Sequence, residues 1–270
     1  MRKEVNLIYI VALLLFSSCE EKVEGIHIGK EFDLIVVEGV ITNEKINHKI
    51  TLSRPYGIQN GTPIPVSVDT MVITDGIETY SLKEIPQGSG HYYAPPFRAV
   101  FAKRYFLLFL KDGKEYIASD YAPVGQPLDD LQLHQVDSSG NYYYSIVLQE
   151  SGSLPNYVEY DINWEDSELC NPQVDCFGKM IYYDLKNIDV HEIYKPEKEE
   201  YFFPQKSRVI RKKYSVSNAY QTYLRSILSE TEWRGGMFDI ERANAASNLS
   251  EGAIGFFAVS TVVTDTILVE

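Results

Sequence analysis

Residues 71–82 have the sequence MVITDGIETYSL and decide the fold class. Met71–Thr74 and Ile77–Leu82 are short runs rich in apolar and β-branched residues, and Asp75-Gly76 separates them. An Asp-Gly pair between two such runs is a strong hairpin signal, because a type I′ turn needs a positive φ at both central residues. The stretch therefore predicts two antiparallel strands joined by a tight turn.

The pattern of short strands and glycine-containing turns continues along residues 32–122. Two further turns are predicted at Gly88-Ser89-Gly90 and Asp112-Gly113. Strands and turns at this spacing are typical of a β-sandwich. We therefore predict a sandwich over residues 32–122, followed by a linker at 123–130, where Pro, Gly and Gln interrupt the strand pattern.

Residues 131–270 continue the β-rich pattern and add one helix. A half-buried strand is predicted where large side chains fall on alternate residues, Val158, Tyr160, Ile162 and Trp164. Ser217 is a favourable N-cap, and apolar residues at helical spacing follow it. We predict a second β-rich domain over 131–270 with an amphipathic helix near 217–232, so that the whole chain is mainly β.

The N-terminus has the three zones of a secretory signal. Arg2 and Lys3 form a positive head, Val5–Phe16 is almost wholly apolar, and small residues precede Cys19. This order is typical of a signal peptide, here residues 1–18. The apolar stretch is shorter than the roughly 20 residues that a membrane-spanning helix needs.

The stretch from Leu15 to Cys19, LFSSC, resembles the lipobox of bacterial lipoproteins. The resemblance implies that the chain is cut before Cys19, that the thiol carries a diacyl group and that the new amine is acylated. Residues 19–31 would then be a lipidated tether, and the acyl chains would hold the protein on a membrane. Glu20-Glu21 resembles a surface-display signal of Bacteroidetes lipoproteins. The alternative to the lipobox is a plain signal peptide followed by a chance cysteine. The alternative to the surface-display signal is an ordinary solvated tether.

Charge excludes one large class of partner. The chain has a net charge of −13, and no Lys/Arg-rich run offers a phosphate-binding stripe. A nucleic-acid partner is therefore not expected. An acidic body does not favour adsorption to anionic lipid either, so the acyl chains must provide the anchor.

Two cysteines remain if Cys19 carries lipid. Cys170 and Cys176 have five residues between them, and in an oxidising compartment a small disulfide loop is the simplest outcome. Zinc binding is the alternative, although the nearest histidine, His191, has no partner at ligand spacing. Free thiols are the third alternative.

The sequence contains no recognised catalytic motif. It lacks a Gly-x-Ser-x-Gly elbow, a phosphate loop and a dinucleotide fingerprint. Asp161, Glu165, Asp166 and Glu168 cluster beside Trp164, and such a group could serve a glycosidase or bind calcium. A solvated acidic loop is the simpler interpretation. We predict no catalytic residue, metal or cofactor, and ligand contact at Asp161, Trp164, Glu165 and Asp166.

Several segments together resemble an uncharacterised family of Bacteroidetes lipoproteins, the domain of unknown function 4249. Beyond the lipobox at Cys19, the matching segments are Leu34–Thr42, His48–Arg54, Pro65–Gly76, Tyr105–Ala118 and Gly255–Ser260. The resemblance implies that residues 32–122 are an immunoglobulin-like or carboxypeptidase-regulatory-like domain. The family has no established catalytic residues, so none carries over to this chain.

The family's setting suggests a function. Its members are similar to lipoproteins found beside TonB-dependent outer-membrane transporters. This implies a non-enzymatic binding or accessory module, anchored at the outer membrane on the cell-surface or periplasmic face. Its partners would be the membrane, such a transporter, and a glycan or peptide ligand. The alternatives are an envelope glycan or peptide hydrolase acting through the Asp161–Glu168 region, and a structural or adhesive surface protein.

Overall fold

The protein is mainly β, as predicted. A computed structural model describes residues 34–55, 62–138, 141–148, 154–171, 175–185, 200–230 and 245–270. Within these ranges there are sixteen strands and one helix, α1 (Asn218–Glu230). The strands are β1 (Ile35–Thr42), β2 (Lys49–Arg54), β3 (Ile64–Pro65), β4 (Thr70–Thr74), β5 (Thr79–Ser81), β6 (Lys83–Glu84), β7 (His91–Tyr93), β8 (Arg104–Lys111), β9 (Lys114–Tyr121), β10 (Leu133–Ser138), β11 (Asn141–Ile146), β12 (Asn156–Asn163), β13 (Phe177–Asp184), β14 (Phe203–Pro204), β15 (Arg208–Ser215) and β16 (Ala253–Leu268).

One nine-stranded sheet forms the framework. Its order is β13-β12-β15-β16-β1-β2-β7-β6, with β3 paired to β2. The first half of β16 pairs in parallel with β1, and the second half pairs antiparallel with β15. Two smaller sheets, β5-β4-β8-β9 and β10-β11-β14, complete the described strands.

Each smaller sheet shares a hydrophobic core with part of the large sheet. The first core joins β1, β2 and β16 to β4, β8 and β9 through side chains such as Val37, Ile50, Ile73, Leu107, Phe109 and Phe257. The second joins β12, β13 and β15 to β11 and β14 through side chains such as Ile146, Val158, Tyr160, Ile162, Phe203 and Val209. Alternation along β16 explains a third cluster, because Phe256 and Ala258 face away from Phe257 and contact α1.

The large sheet contains strands from both sides of the predicted linker at 123–130. Strand β16 lies in the second predicted domain, yet Ala253, Phe257 and Val259 belong to the core of residues 35–122. The described residues form one compact unit. Separate folding of 32–122 and 131–270 stays a prediction, and so does the immunoglobulin-like character of the first part.

The two predicted Asp-Gly hairpins both form, but their turns differ. Asp112 and Gly113 have φ values of 50° and 78°, and Lys111 pairs directly with Lys114, as a two-residue type I′ turn requires. The β4–β5 hairpin instead has four residues, 75–78, between its last paired residues. The Asp75 carboxylate accepts hydrogen bonds from the backbone N–H groups of Ile77 and Glu78, which favours this wider turn.

Helix α1 confirms the predicted helix for residues 218–230. The Ser217 hydroxyl accepts a hydrogen bond from the Tyr220 N–H at 3.0 Å and caps the first turn. Among the described residues, no helix is long and apolar enough to cross a membrane. The predicted signal peptide, 1–18, and tether, 19–31, lie outside the described residues.

Side chains complete the hydrogen bonding of β16 where a neighbouring strand has ended. Just after β1, the Asn43 amide donates to the Val262 carbonyl at 3.1 Å and accepts from the Val262 N–H at 2.7 Å. On the other edge, Asn248 forms the same pair of bonds with Phe257, at 2.7 and 3.1 Å. An asparagine side chain thus replaces a strand residue at each position and satisfies buried backbone groups.

His48 is the most deeply buried titratable side chain of the first core, with 1% of its surface exposed. Its Nε2 lies 3.1 Å from the Phe97 carbonyl, and the described residues provide no hydrogen-bond partner for Nδ1. Burial lowers the pKa of His48 below its usual value of 6.5. The folded protein therefore holds a neutral imidazole with its proton on Nε2.

Acidification should destabilise the protein through His48. The unfolded chain takes up a proton as the pH falls through about 6.5 and the folded chain takes it up only at a lower pH, so the stabilisation is complete above about 6.5 and is lost as the pH falls toward the folded-state pKa. We expect the free energy of unfolding to decrease by up to about 1.4 kcal/mol per pH unit in this range relative to His48→Gln. Urea denaturation of both proteins between about pH 7.5 and 5.5 measures the difference. A difference that does not vary with pH would contradict a neutral His48.

Candidate functional site

Cys170 and Cys176 are joined by a disulfide, as predicted. Their Cα atoms are 5.7 Å apart, and the bond lies in the loop between β12 and β13, at its end next to β13. Cys176 is buried, and its carbonyl accepts a hydrogen bond from the Trp164 N–H at 2.9 Å. The Trp164–Cys176 hydrogen bond therefore joins the start of the β12–β13 loop, which contains Trp164, Glu165 and Asp166, to the disulfide at its end.

Asp161 does not lie beside Trp164. It is in β12, where Tyr160 and Ile162 face the second core and Asp161 faces the opposite side of the sheet. Lys179 of β13 is its cross-strand neighbour, with the ammonium 3.9 Å from the carboxylate. The sheet thus separates Asp161 from the core side that Trp164 contacts.

The other three predicted residues follow β12 directly. Trp164 is partly buried and packs against the second core. Glu165 is exposed and forms two hydrogen bonds with Asn163, one through its backbone N–H and one through its carboxylate. Asp166 is exposed. The structure therefore brings Glu165 to Asn163, places Trp164 and Asp166 in one turn closed by the Ser167 N–H, and leaves Asp161 on the other face of the sheet.

A shallow pocket lies between the large sheet and the segment that precedes β10. Its walls come from residues 128–132, β12, β13 and β15, together with Val147. Two cations, Arg211 and Lys213, form its floor, with only 6% and 3% of their surfaces exposed. Buried cations need compensating charge and hydrogen bonds, so their partners define what this site can do.

Arg211 binds two partners with different parts of its guanidinium. Its Nε and second terminal nitrogen donate to the Asp265 carboxylate, which belongs to the directly paired residue of β16. Its first terminal nitrogen donates to the Asp129 carbonyl at 2.8 Å. Arg211 therefore joins β15 and β16 to the segment before β10 through charge-assisted bonds.

Lys213 binds the same segment two residues further along β15. Its ammonium donates to the Pro127 carbonyl at 2.9 Å and to the Asp129 carboxylate at 3.2 Å. Nearby, burial raises the pKa of Tyr160, so its phenol stays neutral in the wall of the pocket. Arg211 and Lys213 together fasten residues 127–132 to the sheet. We call Arg211, Lys213, Asp129 and Asp265 the buried ionic network after its two buried cations; the side chains of Asp129 and Asp265 are 60% and 34% exposed.

Sequence reasoning missed this network. Val209, Arg211 and Lys213 alternate along β15, and this period shows that the two cations share a face with an apolar residue. It does not show that the shared face is buried, because Asp129 is 82 residues from Arg211 in sequence. Among the described residues, no group of three or more metal-ligating side chains could hold a metal ion.

These features define the class of protein. It is mainly β, with strands from both halves of the chain in one nine-stranded sheet, a disulfide near the end of the β12–β13 loop, and two buried cations whose charges are paired within the protein. A model of the family described as a domain of unknown function, DUF4249, matches residues 24–266. The chain belongs to this family, as its segments predicted. No curated protein matches the sequence.

Proposed function

We propose that this protein is a lipoprotein anchored at the bacterial outer membrane, where it acts as a non-enzymatic binding or accessory module beside a TonB-dependent transporter. The lipobox resemblance at Cys19 supports the anchor, and the setting of the resembling family supports the partner. The Cys170–Cys176 bond agrees with folding in an oxidising compartment.

The buried ionic network carries the preference for binding over catalysis. Arg211 and Lys213 direct their hydrogen bonds to Asp265, Asp129 and the Pro127 carbonyl, so their charges hold the fold together. A catalytic group needs a free reactive atom and a tuned pKa. The network instead fixes residues 127–132, whose exposed Asp130 and Gln132 present a rigid polar surface to a ligand or partner.

The two alternative functions, a hydrolase and a structural or adhesive protein, differ from the proposal in ways that can be tested. A glycan hydrolase needs two carboxylates about 5–10 Å apart on either side of the scissile bond. Asp161 faces the side of the sheet opposite the core that Trp164 contacts, which does not favour a pair in this region. A purely structural or adhesive protein would have the same anchor and no transporter partner, so copurification separates it from the proposal.

Replacing Cys19 with alanine tests the anchor and the partner together. We expect the wild-type mature protein to begin at an acylated Cys19, to fractionate with the outer membrane and to copurify with a transporter from gently solubilised membranes. The Cys19→Ala variant should lose acylation, outer-membrane location and the transporter, because no acyl chain holds it there. Mass spectrometry of the N-terminus and of the copurified proteins measures these outcomes.

The matched control is Cys170→Ser with Cys176→Ser, which removes two cysteines but leaves the lipobox intact. This variant should stay acylated and in the outer membrane. An unmodified Cys19 on wild-type protein from the cell interior would overturn the anchor. A correctly anchored protein with no copurifying transporter would overturn the proposed partner.

A further inference from the structure

Residues 98–104, RAVFAKR, differ in charge from the rest of the chain. They contain Arg98, Lys103 and Arg104 and no acidic residue, in a chain with a net charge of −13. Arg98 and Arg104 are exposed. Between the cations, Val100 and Phe101 are also exposed, Phe101 to 61%. We call this segment the 98–104 loop.

Several contacts hold the 98–104 loop in one conformation. The Val100 N–H donates to the Tyr105 hydroxyl at 2.9 Å. The Ala102 N–H donates to the Ala122 carbonyl at 3.0 Å, and the Ala122 N–H donates to the Lys103 carbonyl at 2.8 Å. Ala102 has a φ of +62°, which is unfavourable for alanine and is kept by these bonds. The exposure of Phe101 therefore belongs to an ordered turn.

More exposed apolar side chains lie around the loop. Lys103 forms an ion pair with Asp75, whose own turn carries Ile77 with 84% of its surface exposed. Tyr121 is the cross-strand partner of Arg104 and is 41% exposed. At this end of the fold Asp75 and Glu78 lie beside Lys103, and Asp75 pairs with it, so Arg98 and Arg104 are the cations that the loop presents with its apolar tips.

We propose that the 98–104 loop docks on the surface of an anionic phospholipid bilayer, because salt screens the more distant charges of the acidic chain and the local cations act at the contact. The apolar tips of Val100 and Phe101 would enter the interface between headgroups and acyl chains, where aromatic and aliphatic side chains gain burial without a preformed groove. Arg98 and Arg104 would contact lipid phosphates, which attract cations that lie close to the surface. Tyr121 is the type of amphipathic residue that favours this interface.

The chain has the length to bring the loop to the membrane that holds Cys19. The loop lies near the end of β1, because the Ala99 N–H donates to the Thr42 carbonyl. The segment from Cys19 joins the other end of β1, at Ile35, about 23 Å away along the strand. Residues 20–34 are 15 residues long and could span up to about 50 Å. The proposal rests on the proposed lipid anchor for the choice of membrane, and the loop's own affinity does not depend on it.

Vesicle flotation of the unacylated protein tests the loop alone. The probe is the mature polypeptide, residues 19–270 with Cys19→Ala, mixed with vesicles of equal phosphatidylglycerol and phosphatidylcholine. We expect binding that increases with lipid concentration and decreases with salt. Val100→Ser with Phe101→Ser should weaken partitioning about tenfold by removing the apolar tips. Arg98→Gln with Arg104→Gln should weaken it on anionic vesicles and leave phosphatidylcholine vesicles unaffected.

The control is Ile64→Ser with Ile85→Ser, two exposed isoleucines of the same sandwich outside the loop. These changes should leave flotation unaltered, and circular dichroism should show that every variant is folded. Equal flotation of the wild-type probe and the Val100→Ser, Phe101→Ser variant would overturn the proposal. Loss of a copurifying protein in that variant without any vesicle binding would assign the loop to a protein partner and also overturn it. Since the probe has no acyl chain, neither result bears on Cys19.

Discussion

Replacing Gly255 with alanine should lower the free energy of unfolding by more than about 3 kcal/mol. Gly255 has a φ of +95° in the parallel pairing of β16 with β1, where it lies opposite Val37. A Cβ atom there would lie 2.2 Å from the Val37 carbonyl oxygen and 3.1 Å from the Val37 nitrogen. The oxygen belongs to the backbone of a central strand, so neither partner can move without breaking the sheet.

Gly76→Ala is the matched control for this substitution. Its φ of +86° is similar, but a Cβ atom added at this position in the β4–β5 turn would meet nothing within 4 Å. The Gly76→Ala variant therefore has only the cost of placing an alanine at a positive φ, about 1–2 kcal/mol. Denaturation followed by the fluorescence of Trp164, which packs against the second core, measures both variants. Equal losses in the two variants would show that the close approach at Val37 does not govern stability.

Local sequence is enough for the hairpins and not for the details of their turns. Asp112-Gly113 and Asp75-Gly76 are the same dipeptide, and only the first forms the predicted two-residue turn. The difference comes from the residues that follow, because the Asp75 carboxylate binds the N–H groups of Ile77 and Glu78. Whether a side chain or a cross-strand residue takes these donors depends on contacts outside the dipeptide, such as the ion pair of Asp75 with Lys103.

The pairing of β1 with β16 cannot be predicted from the local sequence pattern. Apolar and β-branched residues predict β structure in both stretches, but Ile35 and Ala253 are neighbours only in the folded sheet. Parallel pairs need long connections, and no turn signal marks them. The predicted division at 123–130 takes no account of this pairing, which places Phe257 in the core of the first part.

At the candidate site, the sequence predicts which face of a strand each side chain occupies, but it does not predict whether that face is buried. Even-numbered residues from Val158 to Trp164 share one face of the predicted strand, so Asp161 belongs to the other face by the same alternation. Alternation likewise places Arg211 and Lys213 together. Their burial depends on Asp265 and on the Asp129 carbonyl, and folding alone brings these groups to Arg211.

Replacing Arg211 with methionine should destabilise the protein by about 1–3 kcal/mol, because it leaves the acceptors of a buried cation without their donor, while the exposed third of Asp265 can be solvated instead. The Asp265 carboxylate, one-third exposed, would lose its two hydrogen bonds from the guanidinium. The Asp129 carbonyl would lose its donor, and residues 127–132, still bonded to Lys213, should open more often and exchange amide hydrogens faster. Urea denaturation and hydrogen exchange of this segment measure the two effects.

Lys212→Met is the control on the same strand. Lys212 faces the other side of the sheet, and its ion pair with Glu44 is about one-third exposed at both ends, so the loss should stay below about 1 kcal/mol. Arg211→Met combined with Asp265→Leu should recover part of the stability, because an apolar pair needs no compensation. The combined variant should not restore slow exchange in residues 127–132, since the bond to the Asp129 carbonyl is still absent. Full protection of that segment in the Arg211→Met protein would show that the ionic network does not hold the surface that we propose for binding.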